Sequence, residues 1–559
     1  MSLELSYIQE QFADLILPGR TMAGGTMAYR LRLPDFPLGR EFSWAEIRIP
    51  RGFPDKAKAY ITVSQDAVLR IPHIDRDGDL CNDSEPGPGL GYSPEDRILS
   101  LLYGFRSQFL TPWLSGELDN HFEAEALNYW VIEVARHRAH GNPISAVWTV
   151  DPCPARATVR NGVLLLPNQI VIAADEQLPI TNRLLDSLNK GKSQRIGVLI
   201  ADIPIAHTLT PQTWPRTTRA LHQILRGRLP SDTYRKFASE SSRRGRGVHR
   251  VVLLRTKDFS FAYLLPGGPA TAVGPEKRRK TYPCPRVPLP LTTNRLDPAW
   301  TVGRDQHPEV AERQSKHALV LGAGALGSSV VDQLAKAGIG FISVVDDDFV
   351  SSANICRHLL GTDSIGRKKA EAVAQRVKLG YPSTAVVPYT MTTQQWLSQH
   401  TLAEVDMVID LTGEPDVRWQ IEQARKASST PLLIGWMEPY VAAAHVCVLP
   451  AGIDWMQDGR DRLTALEAVT WPDEVIRQEP GCSSRFQSYT AAAATHAVAL
   501  IAEKAIDLID GQLACKAPHV ASWVRGQDFL DKHWHGLVHR EWAKPASSQA
   551  GMILMRPLT

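Results

Sequence analysis

The sequence of 559 residues lacks any uncharged apolar run of the ~20 residues that a helix needs to cross a bilayer. Net charge is almost absent as well, because 62 basic and 59 acidic residues leave a formal charge of +3. This balance gives no reason to expect a nucleic acid or an anionic membrane as a partner. The N-terminus carries acids and helically spaced apolar residues, whereas a signal peptide needs a basic start and a continuous apolar stretch. We therefore expect a cytoplasmic protein that binds neither nucleic acid nor membrane.

Cysteine is scarce, and its spacing excludes two common structural roles. The seven cysteines are an odd number and contain no CxxC pair. Neither a disulfide framework nor a zinc knuckle is indicated. Each thiol therefore has to be judged by its local sequence.

The length predicts several domains, roughly three to four at ordinary domain sizes. Residues 1–150 combine short β-rich runs with helical segments, which predicts a small α+β domain. Residues 151–300 contain strand-like runs and end in a Pro- and Gly-rich linker, and we interpret them as a connecting domain. Residues 301–559 open with strand, helix and strand, the pattern of a doubly wound, Rossmann-like parallel sheet. The expected fold class is thus multidomain, α+β followed by α/β.

A glycine-rich turn opens the third domain. Gly322, Gly324 and Gly327 form GxGxxG between the strand ALVL and an apolar helix. Backbone N–H groups at the start of such a helix can face a phosphate. Asp346 ends the next strand, where a carboxylate in such folds accepts a hydrogen bond from a ribose hydroxyl. Up to this point a nicotinamide-dependent dehydrogenase fits as well as any other nucleotide-binding enzyme.

The residues that follow separate these alternatives. A dehydrogenase has no use for the ordered polar set Asp348, Asn354, Arg357 and Lys369. In an adenylating enzyme, Arg357 and Lys369 can neutralise a triphosphate, and Asp410, at the end of a later strand, can hold Mg²⁺. ATP and Mg²⁺ are therefore the expected cofactors. The alternative, ordinary surface and capping positions on a Rossmann fold, requires a chance match to a long ordered motif.

This ordered set resembles the ThiF/MoeB and ubiquitin-activating family, whose motif runs D-x-D-x-V, then S-N-x-x-R-Q, then G-x-x-K-A. Two positions depart from the motif: His358 stands where the family usually has Gln, and Gly413 where an Asp normally follows the strand. The second departure leaves Asp410 as the expected metal ligand. Family members usually dimerise and reach into the partner's ATP site with an arginine. The resemblance implies a homodimer and assigns that role to Arg304, the alternative being a solvated linker charge.

One cysteine of the third domain suits thioester chemistry. Cys482 follows a Pro-Gly pair and precedes a long alanine-rich helix. The helix dipole would favour the thiolate, which is the form that attacks an acyl adenylate. The ubiquitin-activating relatives carry their catalytic cysteine in a comparable loop. The alternative is a small buried structural thiol.

A second cysteine of this kind is Cys81, in IPHIDRDGDLC. This segment resembles the H-P-N-I-x-x-x-G-x-I-C motif of the ubiquitin-conjugating fold, and the resemblance covers roughly residues 1–140. Ile71 and His73 replace the His and Asn of the motif. Either His73 or Asn82 could supply the missing hydrogen bond, and His73 could act as a base or be a strand-end imidazole. An exposed thiol after a glycine turn favours catalysis by Cys81 over a structural role.

A conjugating-like domain ahead of an activating-like domain resembles the bacterial fusion protein of cyclic-oligonucleotide anti-phage signalling systems (CBASS). The resemblance implies a ubiquitin transferase-like enzyme that adenylates the C-terminus of a cGAS/DncV-like nucleotidyltransferase. It would carry this protein as a thioester and join it to a target amine in antiviral defence. A bacterial ubiquitin-like modifier is an alternative substrate, and sulfur-carrier activation would leave residues 1–150 without a role. A non-catalytic nucleotide-binding scaffold would not need Arg357, Lys369 and two suitably placed cysteines.

Overall fold

The computed structural model describes residues 10–32, 43–81, 85–87, 91–137, 144–166, 168–175, 177–189, 194–239, 249–266, 270–273, 279–282, 287–475, 477–478, 485–486 and 489–558. The chain forms two compact units. The first consists of Met1–Asp175 and Gln194–Asn294, and the second of Glu176–Ser193 and Arg295–Thr559. Within the described ranges, no helix has both the length and the apolar character needed to cross a membrane.

The first unit opens with an antiparallel sheet of four strands in the order β1-β2-β3-β4. These strands are Arg20–Thr21 (β1), Met27–Arg30 (β2), Ala45–Ile49 (β3) and Tyr60–Val63 (β4). Helical segments follow at Pro94–Gly104, Phe105–Leu110, Thr111–Leu114, His121–Ala124 and Ala126–Arg136. The first of these helices begins at Ser93, whose hydroxyl accepts a hydrogen bond from the backbone N–H of Asp96 at 3.0 Å.

The remainder of the first unit is built around a closed barrel in the order β10-β13-β5-β7-β6-β8-β9. The strands of this region are Ala146–Thr149 (β5), Thr158–Leu166 (β6), Ile170–Ile172 (β7), Gln194–Pro204 (β8), His249–Arg255 (β9), Ser260–Leu264 (β10), Ala270–Val273 (β11), Arg279–Tyr282 (β12) and Leu289–Arg295 (β13). Strands β11 and β12 pair only with each other in the described part of the chain. The helices Thr218–Arg228 and Ser231–Ser239 connect β8 to β9.

One hydrophobic core joins the N-terminal sheet and helices to the barrel. Buried side chains from Phe12 to Trp130 belong to the same cluster as those from Ala201 to Leu265. The indole N–H of Trp130 also donates a hydrogen bond to the carbonyl of Leu291 at 2.9 Å. The sheet, the helices and the barrel therefore stabilise one another.

The second unit contains an eight-stranded sheet in the order β16-β15-β14-β17-β18-β19-β22-β23. The strands of this unit are His317–Leu321 (β14), Phe341–Val345 (β15), Ala385–Tyr389 (β16), Met407–Asp410 (β17), Leu432–Met437 (β18), Ala443–Leu449 (β19), Arg477–Gln478 (β20), Arg485–Phe486 (β21), His519–Arg525 (β22) and Gly551–Pro557 (β23). The first five strands of the sheet order are parallel and the last three antiparallel. The parallel part follows the order of a doubly wound fold, which confirms the Rossmann-like prediction.

Helices cover the two faces of this sheet, where two separate clusters of buried apolar side chains lie. The α-helices of the second unit are Pro179–Asn189, Pro298–Gly303, Glu309–Arg313, Ala325–Lys336, Lys369–Gly380, Thr393–Gln399, Pro415–Arg425, Leu463–Leu466, Ala491–Ile509 and Gln527–His533. Parallel strands buried on both faces require continuous apolar runs, and HALVL and MVID supply them.

Candidate active site

Strand register brings three predicted site residues to one edge of the large sheet. Leu321, at the end of β14, pairs with Val345 of β15 and with Asp410 of β17. Gly322 and Asp346 directly follow the first two of these strand ends. Since ligands of open α/β sheets bind beyond the carboxyl ends of the strands, this edge is the candidate nucleotide site.

The glycine turn has a geometry that requires glycine at two of its positions. Gly322 has a φ of 86°, in the left-handed region that side chains disfavour. Gly327 lies so close to the turn that a Cβ atom would stand 1.8 Å from the carbonyl oxygen of Gly322. Gly324 caps the helix Ala325–Lys336, and no heavy atom lies within 4 Å of where its Cβ would be. Gly327 therefore permits the close packing of the helix against the loop, whereas a side chain at Gly324 would meet no neighbouring atom.

These contacts predict opposite results for two glycine substitutions. Gly327→Ala should lower the free energy of unfolding by about 2 kcal/mol or more, because the backbone of Gly322 has to move away from the methyl group. Gly324→Ala should unfold like the wild type, since its methyl group meets no neighbour. Denaturant titration of both variants measures the difference. An equal stability of the two proteins would contradict the close approach at Gly327.

The carboxylate of Asp346 braces the loop. One oxygen accepts a hydrogen bond from the backbone N–H of Ala323 at 2.6 Å, and the other accepts from the N–H of Asp348 at 2.9 Å. Each carboxylate oxygen has a further lone pair. Asp346 can therefore hold the turn and still accept a hydrogen bond from a hydroxyl of a bound nucleotide.

Lys369 is the first residue of the helix Lys369–Gly380. It is 9% exposed, and its Nζ lies 2.8 Å from the carboxylate of Asp348, whose side chain is 73% exposed. A buried ammonium group is thus held by a carboxylate that can turn into solvent. An incoming phosphate can take the place of this carboxylate without moving the lysine.

A small cavity of about 180 Å³ lies beside the start of the helix after the glycine turn. It is lined by Ala325, Asn354, Arg357, His358 and Tyr489. The guanidinium of Arg357 stands 5.0 Å from the ring centroid of Tyr489, within the range of a cation–π contact. The predicted residues Asn354 and Arg357 therefore share one cavity next to the glycine turn.

His358 occupies the position where the motif usually has Gln. Its Nδ1 accepts a hydrogen bond from the backbone N–H of Leu360 at 3.2 Å, so its Nε2 carries the proton. That Nε2–H donates to the carbonyl of Ala323 at 2.6 Å. Burial lowers the pKa of His358, which keeps the ring neutral. A neutral imidazole therefore supports the glycine turn at this position.

Asp410 is 1% exposed. One carboxylate oxygen accepts hydrogen bonds from the backbone N–H and the hydroxyl of Thr412, at 3.0 and 2.7 Å. Within the described residues the other oxygen has no hydrogen-bond partner. Burial raises the pKa of this carboxyl, and the hydrogen bonds from Thr412 oppose that rise. An orphaned buried carboxylate oxygen at the site edge suits a cation ligand.

The remaining predicted site residues are Cys81, Cys482 and Arg304. Cys81 is exposed, and its backbone N–H donates to the carbonyl of His73 at 2.8 Å. Cys482 lies outside the described residues. Cys447 is buried in β19, which raises the pKa of its thiol to about 12 and makes it unreactive. Arg304 is exposed, and its guanidinium lies 4.9 Å from the ring centroid of Trp300.

Sequence reasoning missed Tyr489 as a lining residue. It lies 132 positions beyond Arg357 and outside every motif considered, so only the folded chain brings the two together. The one signal in the sequence was that Tyr489 directly precedes Thr490. Thr490 caps the helix Ala491–Ile509, and residues at the start of a helix often face a ligand. Among the described residues, no group of three or more His, Cys, Asp or Glu side chains could hold a metal ion.

Comparison with known proteins agrees with this geometry. Residues 306–535 match the ThiF family. The chain is 28% identical over 236 residues to the ATP-dependent ubiquitin transferase-like protein Cap2 of Pseudomonas aeruginosa, a match that covers 40% of this chain and 41% of that protein. It is 34% identical over 120 residues to the adenylyltransferase and sulfurtransferase UBA4 of Yarrowia lipolytica, covering 22% and 30%.

The structure of Escherichia coli MccB with ATP has 17% sequence identity and a TM-score of 0.30, and the match covers 41% of this chain and 65% of that one. In the matches to the Cap2 and UBA4 relatives, the chain spans less than half the length of each relative. The match to the ThiF family includes β14 to β19 with the glycine turn, Asp346, Lys369 and Asp410. The C-terminal half of the chain accordingly contains a ThiF-family domain.

Proposed function

We propose that the chain is an ATP-dependent enzyme that adenylates the C-terminal carboxylate of a protein. The observation that carries the proposal is the convergence of the glycine turn, Lys369 and Asp410 at one edge of the parallel sheet. The ThiF family match and the adenylyltransferases among the relatives support it. A carboxylate oxygen would attack the α-phosphorus of ATP, the bond to the β-phosphate would break, and pyrophosphate would leave.

The cations of the site fit this reaction. Negative charge accumulates on the phosphates as the bond to pyrophosphate lengthens. The positive charges of Lys369 and Arg357 would neutralise part of this charge. Backbone N–H groups at the start of the helix Ala325–Lys336 add partial positive charge. Mg²⁺ bound with ATP would supply further charge neutralisation, and the orphaned oxygen of Asp410 would hold it.

The proposal continues with two thioesters. Cys482 would attack the acyl adenylate and release AMP, after which Cys81 would receive the acyl group by thioester exchange. Tyr489 follows Cys482 by seven positions, so chain length alone keeps their Cα atoms within about 25 Å of each other. Tyr489 itself lines the cavity beside Arg357. The Cap2 relative, named a ubiquitin transferase-like protein, supports a conjugating step.

For the substrate we propose the C-terminus of a cGAS/DncV-like nucleotidyltransferase, conjugated to a target amine in CBASS defence. A small bacterial ubiquitin-like modifier is the second candidate, because the chemistry of adenylation is the same for both. We further propose a cytoplasmic homodimer in which Arg304 reaches the ATP site of the partner. The exposed guanidinium of Arg304, stacked on Trp300, is compatible with that role.

Isotope exchange between ATP and pyrophosphate tests the adenylation step. Exchange should require a protein with an intact C-terminus, and removal of its last residue should abolish it. The nucleotidyltransferase and any ubiquitin-like protein from the same genome are the two substrates to compare. ATP consumption that proceeds equally without either protein would count against adenylation of a protein carboxylate.

Two neighbouring lysines provide a matched test of the cationic site. Lys369→Met should slow the exchange at least about tenfold, because an ammonium group facing the phosphates is lost. Lys368→Met should leave it near the wild-type rate, since Nζ of Lys368 bonds to the carbonyl of Asp347 and lies over the ring of Phe349. ATP–pyrophosphate exchange rates of both variants show whether Lys369 is specifically required. Equal losses in the two proteins would mean that general positive charge, and not Lys369, is required.

A further inference from the structure

Four polar side chains form a connected cluster next to Cys81. Nε2 of His73 lies 2.7 Å from Nδ1 of His121, and Nδ1 of His73 lies 3.3 Å from the carboxylate of Glu125. The hydroxyl of Tyr129 donates to the other oxygen of Glu125 at 2.8 Å and accepts from the backbone N–H of His73 at 2.8 Å. These contacts join a strand-end loop to the helices His121–Ala124 and Ala126–Arg136.

One assignment of the ring protons of His73 and His121 agrees with all of these contacts. Nδ1 of His73 lies 3.3 Å from the carboxylate of Glu125, so we place the ring hydrogen on that nitrogen. Nε2 of His73 is then an acceptor, and Nδ1–H of His121 donates to it. Within the described residues this is the hydrogen bond of the His121 ring, which leaves Nε2 of His121 as an unprotonated nitrogen with an available lone pair. Glu125 therefore positions His73, and His73 positions His121, whose Nε2 is the basic nitrogen.

The cluster stands beside the thiol. Ile74 and Leu80 form an antiparallel bridge, and the N–H of Cys81 donates to the carbonyl of His73, so these two residues face each other across the hairpin. His73 has a φ of 59°, a strained value for a residue with a side chain, and such strain is concentrated at functional sites. Burial lowers the pKa of His73, which keeps its ring neutral.

We propose that His121 is the general base of the Cys81 site and that His73 and Glu125 are its positioning residues. The inference rests on the proposed thioester at Cys81. The amine nitrogen of the target attacks the thioester carbonyl, and Nε2 of His121 takes one proton from that nitrogen. The C–N bond forms, the C–S bond breaks, and Cys81 leaves as the thiolate. His121 then returns the proton to the thiolate or to water, and Glu125 stabilises the imidazolium through His73.

The test uses the full chain and bypasses ATP. The mercaptoethanesulfonate thioester of N-acetylglycine acylates accessible thiols by exchange, and free lysine then removes the acyl group. Peptide mass mapping follows the acyl group on Cys81 and on Cys356, an exposed thiol in the other unit that serves as the internal reference. In the wild type, Cys81 should discharge about a hundredfold faster than Cys356.

Three variants and one control substitution separate catalysis from structural support. In His121→Gln, the acyl group on Cys81 should be discharged no faster than the one on Cys356. In His121→Ala, added imidazole should speed the discharge of Cys81 more than it speeds the discharge of Cys356. Glu125→Gln should shift the acid limb of the pH profile of Cys81 discharge to lower pH. The reason is that the His121 imidazolium loses the carboxylate that stabilises it through His73. His137→Gln, at the end of the same helix region, should behave as the wild type.

Equal discharge of Cys81 and Cys356 in the wild type would overturn the inference, as would an unaltered rate in folded His121→Gln. If that variant unfolds, the wild-type comparison and the pH profile of Glu125→Gln decide alone. The proposed function fails separately: it is refuted when ATP and a protein substrate never load Cys81, whatever the rate with the small thioester.

Discussion

Replacing Asp410 with Asn should slow ATP–pyrophosphate exchange about a thousandfold, the effect expected when a charged ligand at a reacting phosphate is lost. The shape of the side chain is kept, and the acceptor oxygen for Thr412 remains. What disappears is the negative charge on the orphaned oxygen. Calorimetric titration with ATP should show that Mg²⁺ strengthens binding to the wild type and does so much less in the variant.

Stability should change little in the same variant. The pKa of Asp410 is raised in the folded protein, so its stabilising contribution is present at acid pH and is lost as the pH rises through the folded pKa. Above that pKa the ionised group opposes folding, and Asn removes that effect. Its new amide donor lacks a partner, which costs about 1 kcal/mol or more. We expect an unfolding free energy near that of the wild type together with a nearly inactive enzyme.

Glu414 supplies the matched control for Asp410. It is exposed at the start of the helix Pro415–Arg425, directly after Gly413, which stands where the family motif has Asp. Glu414→Gln should retain exchange within a few fold. If Glu414→Gln were inactive and Asp410→Asn active, the metal ligand would be the exposed acid and the orphaned oxygen of Asp410 would need another explanation.

The ThiF-like half was largely predictable, because its signals are local in sequence. A parallel strand, its glycine turn and the following helix are continuous in the chain. GxGxxG and Asp346 therefore predicted two neighbouring strand ends, and the β14–β15 register brings those ends together. The pairing of Asp348 with Lys369 joins residues 21 apart across one loop. Here the periodicity of apolar residues and the order of polar ones carry nearly all of the information.

The remainder depends on contacts between distant segments. The cavity needs Tyr489, and the Cys81 cluster needs His121, which lies 48 residues beyond His73. Apolar periodicity identifies buried faces but not their partners, so the core shared by the N-terminal helices and the barrel could not be deduced either. His73 looked like a base or a strand-end residue from sequence alone. The contacts of its two ring nitrogens with His121 and Glu125 are the basis of the positioning role that we propose.

Replacing Cys482 with Ala should stop the reaction at the adenylate, with neither cysteine acylated. In the order we propose, Cys482 attacks the adenylate formed at the glycine turn, and Cys81, in the other unit, accepts the acyl group only afterwards. Cys81→Ala should therefore accumulate the substrate protein as a thioester on Cys482. Gel electrophoresis without and with reductant, combined with AMP release, distinguishes the two blocks.

Two further substitutions make the order of transfer testable. Cys81→Lys should trap the acyl group as an amide that survives reductant, which separates acyl transfer from disulfide formation. Cys356→Ala, which removes an exposed thiol next to Arg357, should load both catalytic cysteines normally. If Cys81 were loaded at the wild-type rate in Cys482→Ala, the relay would be refuted. Cys81 would then have to attack the adenylate directly, and Cys482 would have no place in the covalent chemistry.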